Sequence, residues 1–109
     1  MKILMDLQAC QGTHAQRGIG RYAMGLAEGM ITAAGDRHEL WLLLQSGLPV
    51  APDEIRNRLA DKIAPERIVA FEVPGPLAAR ETANRRRAQA ASAIRRKFIA
   101  DLAPDIVVV

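Results

Sequence analysis

Three observations predict a three-layer α/β/α domain built on a parallel sheet. Apolar runs of strand length alternate with helix-length amphipathic segments, in the order β-α-β-α-β-α-β, and such alternation implies parallel strands with helices on both faces. Two of the runs, Leu40-Trp41-Leu42-Leu43-Leu44 and Ile106-Val107-Val108-Val109, are continuous rather than alternating, as strands buried on both faces are. The segment 19–34 carries a helical apolar stripe, Ile19, Ala23, Leu26, Ala27, Met30 and Ile31, with Arg21, Glu28 and Thr32 opposite.

Each element follows in order. Residues 2–7 read as a buried strand. Residues 8–18 lose periodicity, are polar and carry glycine, so a long loop is expected. The helix 19–34 ends at Gly35 as a C-terminal cap. Residues 38–44 are the second strand, opened by His38, which reads as structural. Gly47, Pro49 and Pro52 mark a loop. Asp53 is placed to cap a short helix with Ile55, Leu59 and Ile63 inward, stopped by Pro65. Residues 67–73 are the third strand, followed by Pro74-Gly75-Pro76. A long alanine- and arginine-rich helix is expected over 78–103, with Ala91, Ile94, Phe98 and Leu102 on one face and Pro104 ending it. Residues 105–109 are the fourth strand. The chain stops on that apolar strand, where a doubly wound domain would continue, so a fragment of a longer chain is expected.

Bulk properties narrow the function classes. The 109 residues allow one domain. Half are apolar and 25% charged, as in ordinary globular proteins. Cys10 is the single cysteine, which excludes an intrachain disulfide and fits a reducing compartment. The thiol reads as ordinary, and Trp41 as core. The start is no signal peptide, because its apolar run is short and meets Asp6. A cytoplasmic location is expected, with peripheral contact at the inner membrane face left open.

The two histidines and one cysteine show no zinc spacing, so no metal site is expected. The net charge of +3 is clustered in Arg85-Arg86-Arg87 and Arg95-Arg96-Lys97. A solvated helix face is one reading and an anionic membrane surface another. Nucleic acid is not expected, since neither interleaved aromatics nor a motif accompanies the charge.

Ligands of open parallel sheets bind beyond the carboxyl ends of the strands. Here that region is the loop 8–18 and Arg17-Gly18-Ile19-Gly20-Arg21-Tyr22 at the helix start. Free N–H groups and the helix dipole favour an anion there, glycine permits close approach, and Arg17 and Arg21 add positive charge. A tight turn onto the sheet is the structural alternative. A nicotinamide fingerprint does not fit, because the glycines do not follow the first strand directly. The second strand also ends in Leu43-Leu44-Gln45, without the acidic residue that fingerprint needs. No P-loop lysine motif is present.

The pieces MKILMDLQACQG, RGIGRYAMGLAEGM, HELWLLL, VPGP and PDIVVV resemble the N-terminal domain of family-4 glycosyltransferases of the GT-B type, over essentially the whole chain. The most specific piece is GIGRY after the DLQ strand end. The resemblance implies a Rossmann-like half-domain on the acceptor side of a cleft, facing a C-terminal domain that this chain lacks. It implies a retaining, metal- and cofactor-independent enzyme of polysaccharide biosynthesis. Such an enzyme moves a sugar from a nucleotide-sugar donor to a glycan or lipid-linked acceptor.

Residue by residue, the resemblance implies that Gly18 contacts the donor diphosphate and that Gly20 allows close approach. Asp6, Arg17 and Arg21 become acceptor or cleft-lining candidates, with backbone capping the alternative for Asp6. His14 is a candidate base, against a solvated loop histidine. The donor-side carboxylates belong to the missing half, so the chain alone is expected to be inactive. A small basic α/β binding module and a nucleotide-binding Rossmann domain of another enzyme class remain the alternatives.

Overall fold

The computed structural model describes residues 1–12, 18–73 and 81–109, with side chains described throughout these except over 81–87. Its elements are β1 (Lys2–Asp6), α1 (Gly18–Ala34), β2 (Glu39–Gln45), α2 (Pro52–Arg58), β3 (Ile68–Phe71), α3 (Glu81–Leu102) and β4 (Ile106–Val108). Short 3-10 turns cover Gln8–Gln11 and Pro65–Arg67. The strands form one sheet in the order β3-β2-β1-β4, with all pairs parallel. The expected α/β fold with a parallel, Rossmann-like sheet is therefore the observed one.

Alternation along the strands builds two cores. Met5, Leu40, Leu42, Leu44 and Ile68 point to one face and meet Met24 and Ala27 of α1 and Ile55 of α2. Leu4, Leu43 and Phe71 point to the other and meet Ile94, Phe98, Ile99 and Leu102 of α3. The Phe71 and Phe98 rings are 6.2 Å apart and tilted by 48°, the offset geometry that aromatic quadrupoles favour. A strand flanked by helices on both faces has no polar side to show, which is why β2 reads as an unbroken apolar run.

Gly35 closes α1 as expected, at φ +48°, with its N–H donated to the Ile31 carbonyl over 3.3 Å. The stripe of α1 is the expected one in part: Ala27 is buried and Ala23, Met30 and Ile31 pack against the core, whereas Ile19 and Leu26 do not. Its buried positions are Gly20, Met24, Ala27 and Ala34. Ile19 is 75% exposed, Tyr22 71%, and Leu26 is exposed as well. The apolar arc of α1 is wider than the sheet can cover. Met24 is buried beside Gly20, Ala27 and Ala34, while Gly25, Gly29 and Ala33 lie on the outer side.

Asp53 does not cap α2. Pro52 takes the first helical position and Ala51 the cap, without a side-chain hydrogen bond. Asp53 sits two residues past the cap and pairs instead with Arg56, at 2.9 Å. Arg56 in turn donates from Nε and Nη2 to the Ile68 carbonyl, at 3.1 and 2.9 Å, on edge strand β3. Ile63 lies beyond the end of α2, though it still packs against the core.

Trp41 is only partly buried. The Lys2 ammonium lies 4.7 Å from its ring centroid and also donates to the Leu102 carbonyl at the end of α3. The fourth strand departs from the both-faces-buried expectation. β4 pairs with β1 on one side and is a sheet edge, with Ile106, Val107 and Val109 exposed.

α3 ends one residue earlier than expected. Ala103 closes it at φ +50°, donating its N–H to the Ile99 carbonyl over 3.1 Å, and Pro104 follows. An alanine is strained in this left-handed conformation and a glycine is not. Ala103→Gly should therefore stabilise the fold by about 0.5–1 kcal/mol, read as a raised denaturant midpoint at unchanged slope.

Candidate ligand site at the carboxyl ends of the strands

From β1 the chain steps outward through β2 to β3, and then α3 carries it back across the other face to β4 beside β1. The strand order therefore reverses between β1 and β4. In open α/β sheets this reversal opens a crevice beyond the carboxyl ends of the strands, where ligands bind. Asp6, the turn Gln8–Gln11 and the start of α1 surround that point.

The region expected to be a loop is partly an ordered turn. Leu7 donates its N–H to the Leu43 carbonyl over 2.9 Å, and Cys10 donates to the Leu7 carbonyl over 3.0 Å. Gln11 is fully buried and nothing in its sequence context marks it. Its Nε2 donates to the carbonyls of Gln45, at 2.7 Å, and Val50, at 3.1 Å. Its Oε1 accepts the Gln45 N–H at 2.9 Å, and its own carbonyl accepts the Val50 N–H at 3.0 Å. One amide side chain thus bolts the turn to the end of β2 and to the segment leading into α2. A buried amide is stable only when it is satisfied in this way.

Asp6 is held from two sides. Its Oδ1 accepts the backbone N–H of Gln8 at 2.9 Å, and the Gln8 side-chain amide reaches both oxygens at 3.0 Å. Arg95 of α3 donates to Oδ2 from Nε at 3.2 Å and Nη2 at 2.8 Å. Asp6 therefore caps the local backbone, the alternative weighed from sequence. The Arg95 pairing is a link that no sequence spacing announced. It also takes Arg95 out of the basic face, leaving Arg96 and Lys97 exposed. The side chains of Arg85–Arg87 lie outside the described residues.

Gly18 and Gly20 differ in surroundings. Gly18 opens α1 at φ +49°, is exposed, and a Cβ placed on it would meet nothing within 4 Å. Gly20 is buried, and its carbonyl accepts the Cys10 thiol at 3.3 Å. That contact ties the start of α1 to the turn. Arg21 is exposed in the first turn of α1. Arg17 and His14 lie outside the described residues.

Cys10 is not in an open loop but buried among core side chains. Burial pushes its thiol above the ordinary value, with the Arg58 guanidinium pulling it partly back. The thiolate is thus disfavoured in the folded state. The group's contribution to stability is present below the unfolded-state value and is lost as pH rises past it. Alkylation of Cys10 at pH 8 should run at least about tenfold slower than that of free cysteine, rising to the free rate in denaturant.

A cleft of about 330 Å³ lies at the opposite, amino end of the strands, lined by Ile31, His38, Lys62 and Arg67 among others. Its cations are already engaged, Lys62 with Glu28 at 3.4 Å and Arg67 with Glu39 at 4.0 Å. The strand order points instead to the carboxyl ends of the strands as the candidate site. Among the described residues no group of His, Cys, Asp and Glu is arranged to hold a metal ion. None of the described helices is long and apolar enough to cross a membrane.

The fold defines a Rossmann-like α/β domain whose strand order reverses between β1 and β4. Across its whole length the chain is similar to the serotype-specific mannosyltransferase WbdA of Escherichia coli, at 34% identity over 110 residues. The chain spans 13% of the length of that relative. No family model matches the chain, and no solved structure matches it.

Proposed function

We propose that this chain is the N-terminal, acceptor-side domain of a retaining GT-B glycosyltransferase of family 4. The enzyme would move a sugar from a nucleotide-sugar donor to a glycan or lipid-linked acceptor in polysaccharide biosynthesis. The observation that carries this reading is the similarity to a mannosyltransferase over the whole chain, joined to the left-handed Gly18 that opens α1 beside the strand-order reversal. In this reading the first N–H groups of α1 face the donor diphosphate. The helix dipole stabilises its charge, and Arg21 adds a cation at the rim. Gly20 supports the approach indirectly, through the contact of its carbonyl with Cys10 of the turn. Asp6 acts on the loop rather than on the acceptor, because both its oxygens are taken. Arg17 and His14 keep their candidate roles as cleft cation and base. The donor-gripping carboxylates come from a C-terminal domain outside this chain.

The test is transfer by the protein as its gene encodes it. It would be incubated with nucleoside-diphosphate mannose and a panel of glycan and lipid-linked acceptors, and read by mass spectrometry. A gain of one hexose on an acceptor, with retained anomeric configuration, is the expected result. No transfer from any nucleotide-sugar, together with no binding of nucleoside diphosphates, would sink the reading.

A further inference from the structure

We propose that Arg95 is a positioning residue, which fixes the turn 8–11 through Asp6 and so steadies the start of α1, where the Gly20 carbonyl accepts the Cys10 thiol of that turn. The proposal rests on the reading of Gly18 as the donor-phosphate contact. Within the run Arg95-Arg96-Lys97, Arg96 and Lys97 are exposed while Arg95 turns toward the sheet. Its side chain is 28% exposed and that of Asp6 14%. Two N–H groups of one planar guanidinium converge on a single carboxylate oxygen, at 3.2 and 2.8 Å. The other oxygen accepts the Gln8 N–H at 2.9 Å. The contact therefore runs from α3, across the end of β1, into the first residue of the turn. Gln11 holds the last residue of the same turn from the opposite face of the sheet, through Gln45 and Val50. A turn clamped at both ends, and tied to α1 through Cys10, holds the first N–H groups of that helix ready for a ligand. Ordering the turn on binding would weaken affinity.

A partly exposed ion pair does little for global stability, so a merely structural pair and a positioning pair differ in what they move. The experiment is amide hydrogen exchange, with donor kinetics, on the intact protein carrying Arg95→Ala or Arg95→Lys. For Arg95→Ala, exchange at Gln8 and Cys10 is expected to rise about tenfold, the scale of one charge-assisted hydrogen bond, while Leu42 and Leu44 in β2 keep their rates. The KM for nucleoside-diphosphate mannose should rise several-fold with a smaller change in kcat, and Arg95→Lys should recover part of both effects. Unchanged exchange at Gln8 and Cys10 overturns the proposal, as does equal acceleration in β2. If Arg95→Ala does not fold, Arg95→Lys alone carries the comparison, on the same two amides. If the turn loosens but neither wild type nor variant binds the donor, positioning by Arg95 stands and the donor reading fails.

Discussion

Gly18→Val is expected to lower kcat/KM for the donor by about tenfold or more, while the domain still folds. The residue opens α1 at φ +49°, where L side chains are rarely found. Holding a valine there costs roughly 1–2 kcal/mol, so some loss of melting temperature is part of the expected result. No steric clash adds to it, because a Cβ at Gly18 points into open space with nothing within 4 Å. That open space is where a diphosphate would lie against the first N–H groups of α1. Losing close contact with a helix N-terminus alone is worth up to about 2 kcal/mol, before any steric exclusion by the isopropyl group.

Strain and occlusion are separated by a second variant. Asparagine tolerates the left-handed region, so Gly18→Asn should restore most of the melting temperature but little of the donor use. If Gly18→Asn recovers both, the glycine serves the backbone alone and the phosphate lies elsewhere. Arg21 is the companion position. It is exposed on the first turn of α1, and its removal should leave stability unchanged.

Gln11→Leu should produce the largest loss of stability among single changes near the site, about 3 kcal/mol. The replacement is close in size, so the effect comes from hydrogen bonds rather than from a cavity. It strips partners from the Gln45 and Val50 carbonyls and from the Gln45 N–H. Each buried backbone group left unpaired costs on the order of 1–3 kcal/mol, reduced where water can enter. Chemical denaturation would show the loss as a lower midpoint. A change under about 0.5 kcal/mol, the size usual for surface substitutions, would mean that water replaces the amide at no cost. Gln11→Glu makes the sharper comparison. A carboxylate accepts but cannot donate to two carbonyls, so it should be worse than leucine at neutral pH and improve as it is protonated.

The course of the chain through its layers was legible because each part of it obeys a local rule. β2 is an unbroken apolar run since both its faces are covered. Gly35 ends α1 since it alone among its neighbours is free to adopt positive φ, and Pro104 cannot continue a helix. Where the reading missed, the deciding contact was distant in sequence. Which arc of α1 faces the sheet depends on how closely the helix approaches. Met24 lies inward while Ile19 and Leu26, equally apolar, lie outward. The exposure of β4 is a matter of which strand lies beside it, and three valines read the same at an edge as in the middle.

The candidate site divides along the same line. Glycines opening a helix after a strand are a local pattern, so Gly18 was singled out from sequence, and its left-handed backbone suits a phosphate contact and a tight turn alike. Gln11 sits among polar loop residues and carries no mark. Its value comes from carbonyls 34 and 39 residues away. Arg95 belongs to a run of cations that reads as a solvated face, and only the packing of α3 across β1 turns it onto Asp6, 89 residues distant. The sequence by itself determined the elements and their parallel pairing, and pointed to the carboxyl end of the sheet as the place to test for a ligand, because periodicity, capping and strand burial act over a few residues. Tertiary structure decided which polar side chains hold that end together. A hydrogen bond between distant residues is specified by geometry, and geometry exists only once the layers have packed.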